Sequence, residues 1–249
     1  MKNVYLGIVY VVLVFALAAQ PVLAQGAGED CGNPYDSRGG GGGPHDYYNP
    51  AKKEAISLVV NAHFSPYMED MAIYGSSARV ARRKEEKAGG RELIAGNLDY
   101  TLRAIPNNPR ALYAMAMWQL RMKNRSLDEY TKKRAAWKFK SSECYFQRAM
   151  MFKPQDGMVH MVYAIYLSKA GFSDKAVESY KQSIALMPNA SEAHYNLGLL
   201  YVERGQYSLA LEQAQKAYDL GYPLPGLRNE LVRRGEWVMA DSSTDSAAR

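Results

Sequence analysis

From about residue 51 to residue 234, apolar and polar residues alternate at helical spacing, and runs of β-branched residues that would build strands are few. The pattern predicts amphipathic helices and no sheet. Residues 25–50 break it with an unbroken glycine run, Gly39 to Gly43, flanked by Ser37, Arg38, Pro44 and Asn49-Pro50. Such a segment has nothing to bury and reads as a Gly-rich flexible linker or a tail draped over the body. The last residues, 239–249, are small and polar and read as a disordered tail.

Within the helical stretch the pattern repeats. Gly171 and Gly205 are 34 residues apart, as are His160 and His194, Ala176 and Ala210, and Pro154 and Pro188. A fixed period of this length marks stacked helix pairs, each one supersecondary unit that cannot bury its apolar face alone. One unit runs through His194, Leu197-Gly198, Tyr201, Ala210, Ala214 and Ala217, with Pro223 one place late. The unit before it runs through His160, Tyr163-Ala164, Leu167, Ala176, Tyr180, Ser183 and Pro188. An earlier one offers Leu112, Met115-Ala116 and Gln119, then Ser142, Phe146, Ala149 and Pro154. Pro106 to Pro154 is 48 residues, which is 34 plus 14, so this unit carries an insertion at about residues 124–137.

These residues resemble the tetratricopeptide repeat, whose first helix carries a large residue, Leu-Gly and a Tyr, and whose second carries Ala, an aromatic and a closing Pro. The resemblance implies an all-α fold, a right-handed superhelix of stacked antiparallel helix pairs with a C-terminal capping helix. Three repeats are expected over 106–223, a degenerate helical segment over 51–105, and a cap over 224–238 that Gly235 would end. In the family the concave surface is made by set positions of each first helix. Carried onto this chain, they are Pro109, Tyr113, Met117, Leu120 and Arg121 in the first repeat. In the second they are Met158, Met161, Ile165, Ser168 and Lys169, and in the third Glu192, Tyr195, Leu199, Val202 and Glu203, with Asn196 beside them. Met and Tyr suit an adaptable apolar groove. Tyr113 and Met117 stand where a carboxylate clamp would need Lys and Asn, so no such clamp is expected. The predicted ligand is an amphipathic helix or extended apolar peptide; the alternative is that residues 51–75, including His63, Phe64, Tyr67 and Met68, fill the groove from within.

The first 24 residues hold one charge, Lys2, then an apolar stretch from Val4 to Ala19 and Val22-Leu23-Ala24 before Gln25. This is the layout of a cleaved secretory signal peptide, with retention as an anchor the alternative. Such a leader predicts a periplasmic or secreted protein. Without it, 30 Lys and Arg oppose 25 Asp and Glu, a formal charge of +5. So small an excess does not indicate a nucleic-acid partner. The two cysteines, Cys31 and Cys144, would mature where disulfides persist; a bridge would staple the tail to the repeats, and two free thiols are the other reading.

No nucleophile elbow, phosphate-binding loop or dinucleotide fingerprint occurs, and His45, His63, His160 and His194 have no metal-site spacing. The expectation is therefore a protein that is not an enzyme, with no cofactor and no metal. It would serve as a protein-interaction scaffold or adaptor in the cell envelope, its partner an envelope protein or peptide. A second function class rests on Arg121, Lys123, Arg125, Lys132, Lys133, Arg134, Lys138 and Lys140, in and around the insertion. These could meet an anionic polysaccharide or a membrane surface.

Overall fold

The computed structural model describes residues 30–35, 43–64, 66–73, 91–123 and 139–237. Among them every regular element is helical. A 3₁₀ turn at Pro50–Lys52 leads into α1 (Lys53–His63), α2 (Pro66–Ile73) and α3 (Arg91–Ala104). Three pairs follow: α4 (Pro109–Lys123) with α5 (Ser142–Phe152), α6 (Gly157–Lys169) with α7 (Ser173–Leu186), and α8 (Ser191–Glu203) with α9 (Tyr207–Asp219). The last helix, α10 (Gly226–Arg233), packs on both α8 and α9 as a cap.

Local sequence sets the helix ends. Ser141 accepts a hydrogen bond from the Cys144 N–H, and Asp156 accepts from the N–H groups of Met158 and Val159, satisfying donors that a first helical turn leaves unpaired. At the other end, Gly171 takes a φ of 86°, and its N–H donates to the Ser168 carbonyl while the Phe172 N–H donates to Leu167. Gly205, one period later, repeats the arrangement, so the periodic glycines are the left-handed residues that turn the chain from first helix to second.

First helices line up side by side, α4 against α6 and α6 against α8, while each second helix backs its partner. Close approach between the last pair and the cap needs a missing side chain at Gly198. A Cβ on Gly198 would lie 2.5 Å from Leu227 Cδ2 and 3.4 Å from the Ala210 carbonyl, so the Leu-Gly step admits both the second helix and the cap. Large apolar side chains fill the seams. Leu98, Leu102, Leu112, Met115, Phe146, Leu167, Leu197, Leu227 and Leu231 are all but sealed from solvent, and burying each is worth about 1.5–3 kcal/mol.

The N-terminal stretch is more than a linker. Residues 30–35 and 43–49 lie against the helices at both ends of the glycine run, whose other residues, like the expected leader, insertion and tail, fall outside the described residues. Cys31 and Cys144 are joined by a disulfide with Cα atoms 4.9 Å apart. The buried Arg148 guanidinium donates to the carbonyls of Cys31 and Asn33, and Lys140 Nζ donates to that of Asp30. Further on, the His45 N–H donates to the Ala104 carbonyl and the Tyr47 N–H to Asn107 Oδ1. Asn107 is sealed from solvent, and its amide donates both to Asp46 and to the helix-capping Asp156. A segment with no core of its own is thus held by polar groups the repeats supply. Burial alone would push the Asp46 carboxyl up, but hydrogen bonds from Lys153, Asn107 and the Tyr48 N–H outweigh it and hold it below the usual carboxylate value.

Candidate partner-binding groove

A cleft of about 840 Å³ runs along the first helices. Because α4, α6 and α8 lie side by side, residues three and four apart on each face the same hollow. Tyr113, Met158, Met161, Ile165, Lys169, Glu192, Asn196 and Leu199 all line it, with Pro109, Ser168 and Glu203. Arg110, Val162, Leu200 and Tyr180 join them from the same helices and from α7. Tyr180 sits at the aromatic position of the second-helix signature, a signal that pointed to packing; it is buried in the core and also lines the hollow. Its phenol is pushed well above the ordinary value, first by burial and then by the carboxylates of Glu192 and Glu203.

Five residues expected on the concave surface lie elsewhere. Met117 is buried and Leu120 half-buried, because α2 packs along α4 over the first-repeat end of the groove. Arg121 sits beneath that helix too, its guanidinium donating to the Ala72 carbonyl at 2.7 Å, and Ala72 itself is fully buried. Tyr195 is buried because its ring stacks on Tyr222, with centroids 4.2 Å apart, under the cap. Val202 turns toward a second recess, formed with Arg204, Tyr207, Arg233 and Arg234 against the cap. Glu203 and Leu199 line both hollows.

The N-terminal helices therefore occupy one end of the groove. Arg110 pairs with Glu69, which raises its pKa further, and stands 5.7 Å from the Phe64 ring. Phe64 is buried; His63 instead bonds Asn97 through Nδ1 at 2.8 Å and lies against Tyr100. The side chains of Tyr67 and Met68 lie outside the described residues. Past the Glu69–Arg110 pair, no described residue covers the hollow over the second and third repeats.

The remaining candidate chemistry has structural partners. His194 meets Gln213 Oε1 at 2.8 Å and the Pro188 carbonyl at 3.1 Å, and burial lowers the pKa of His160. No group of three or more His, Cys, Asp or Glu side chains able to hold a metal occurs among the described residues. Nor, among them, is any helix long and apolar enough to cross a membrane. Of the basic stretch around the insertion, the described Arg121 and Lys140 are engaged by Ala72 and Asp30, and the insertion itself lies outside the described residues.

Comparison with known proteins bears on the repeats. The family model of the TPR repeat matches residues 170–205, which run from the α6–α7 turn through α8 to Gly205. No curated protein matches the chain. Among solved structures, "Crystal structure of MamA" is 16% identical, covers 74% of this chain and 89% of its own, and superposes with a TM-score of 0.38. "MamA 41-end from Desulfovibrio magneticus RS-1" is 15% identical over 69% of this chain and 86% of its own, with a TM-score of 0.39. Superposition this loose carries no weight beside the helix pairing itself.

Proposed function

We propose that the chain is a tetratricopeptide-repeat adaptor of the cell envelope whose groove holds a segment of another protein; residues 170–205 match the TPR-repeat model, and the helix pairs around them repeat the same packing. The observation that carries this reading is the groove itself. Half-buried Ile165 and Leu199, together with Met158 and Tyr113, face a hollow of about 840 Å³ and leave apolar surface that no described residue covers. The sequence-level leader and the disulfide both suit a protein matured outside the cytoplasm. A scaffold function needs no reacting group, and each described histidine either has a neighbour that accounts for it or lies in a packed seam.

The test is site-specific photo-cross-linking in cells. A photoreactive residue at 165 or 199 should trap one discrete partner, while the same residue at position 182, on the exposed side of α7, should not. Ile165→Glu, with its circular dichroism compared with that of the parent chain to check the fold, should abolish the adduct formed from position 199. Equal adducts from all three positions, or none from the groove, would overturn the reading. Fractionation of cells expressing the full chain checks the envelope location separately.

A further inference from the structure

We propose that the open part of the groove selects a cationic amphipathic helix, whose two basic side chains about three turns apart meet Glu192 and Glu203 while its apolar face rests on Ile165 and Leu199. This rests on the groove reading above and names the chemistry of its ligand.

The first support is a reversal of charge. The whole chain carries a formal charge of +6, yet the open hollow is lined by two exposed carboxylates, Glu192 and Glu203, against one ammonium, Lys169. Neither glutamate makes an ion pair among the described residues, whereas Glu69 at the covered end is already neutralised by Arg110. An unpaired pair of like charges beside an apolar surface favours a partner of opposite sign.

Spacing is the second. Glu192 and Glu203 are 11 residues apart on α8. Eleven residues bring a helix back to nearly the same side and advance it by roughly 16 Å. Both carboxylates therefore face the same hollow, with Asn196 and Leu199 between them. Tyr180 lines the same hollow as both. A ligand helix running along α8 would present basic groups at the same interval.

The chain itself supplies the third. At the covered end the walls are basic, Arg110 and Arg121, and the occupant is α2, which offers a carboxylate to one and the carbonyl of Ala72, in its last turn, to the other. The groove thus already holds one short helix by apolar contact plus charge of opposite sign. The open end has the opposite polarity, so its occupant is a helix carrying positive charge.

The experiment uses the full chain, with its disulfide intact, immobilised and panned against a displayed library of random 16-residue peptides. Enriched sequences should carry Lys or Arg pairs 10–12 positions apart with apolar residues between, as the spacing on α8 implies. A synthetic peptide of that kind should lose about tenfold in affinity on Glu192→Gln with Glu203→Gln, and should weaken with added salt. Ile165→Glu should abolish binding while the circular dichroism stays unchanged. Enriched peptides without basic pairs, or equal binding to the double glutamine variant, overturn the charge selection; if Ile165→Glu still abolishes that binding, the groove reading stands. Peptides indifferent to all three changes, or a library with no enrichment, overturn both.

Discussion

The two ends of the concave face are built from the same helical positions and have opposite fates. Over the first repeat, Met117 and Leu120 are covered by α2, whose Ala72 is fully buried and whose Glu69 holds Arg110. Over the second and third, Ile165 and Leu199 have no such cover among the described residues. The difference teaches that a repeat position specifies a direction in space and not an exposure. What lies in that direction is decided by chain outside the repeat, and here that chain is the N-terminal helices.

The sharpest way to break the contrast is to eject the occupant. Ala72→Arg puts an unpaired charge into the sealed contact with α4, and should cost about 3–5 kcal/mol or release α2 altogether. Urea unfolding gives the cost, and hydrogen exchange across α4 shows whether its face has become open. If α4 stays protected and the midpoint does not move, α2 contributes little. Removing the bridge with Cys31→Ala and Cys144→Ala should cost about 2–5 kcal/mol, since the closed loop spans 113 residues. Exchange should rise at α5, which carries Cys144, and not at α8 or α9; a uniform rise would show that the two ends are one cooperative unit.

A smaller effect is expected from Arg110→Ala, which deletes an exposed ion pair and a cation–π contact worth about 1 kcal/mol together. It is best read as a paired measurement with Leu199→Ala: the first should raise hydrogen exchange in α2, and the second should weaken peptide binding without raising it. The smallest effect concerns acid. Burial disfavours the charged imidazole of His160, so its folded pKa lies below the ordinary 6.5 and the unfolded chain takes up the proton first. Its contribution to stability is complete above about 6.5 and is lost as the pH falls through that value toward the folded one. His160→Gln should flatten that part of a stability-against-pH curve. In the strap formed by residues 43–49 of the N-terminal stretch, Asp46 has its pKa lowered from 3.8, so its contribution is complete above that value and fails only in stronger acid. Loss of the strap before the repeat, in an acid titration followed by exchange, would contradict this order.

Much of this architecture was legible in the residues. Glycines and alanines that recur every 34 positions do so because each helix pair must turn and close in the same way, so Gly171, Gly205 and Gly198 declared the pairs and their contacts. The family's concave positions, carried onto that period, lead to Met158, Ile165 and Leu199, which line the hollow. The period alone is silent on α2, whose eight residues mix apolar and acidic side chains without a repeat partner, and leaves Met117 and Arg121 on an open surface; the alternative that residues 51–75 fill the groove anticipates the cover at that end. Tyr195 was misplaced for a similar reason. Its neighbour is Tyr222, which lies after the last pair, and a period is silent on chain beyond its final copy. The network of Asn107, Asp46 and Asp156 was invisible because it joins residues 61 and 49 positions apart through one amide.

Considered as a mechanical object, the Cys31–Cys144 bridge makes a closed covalent ring of the chain that contains α1 to α4. Tension applied between the two termini passes from one sulfur to the other and bypasses everything inside. The 113-residue span would otherwise release roughly 400 Å of contour when pulled straight, and under oxidising conditions that length stays in reserve. The covered end of the groove is therefore shielded from load, while the open end, outside the ring, bears it.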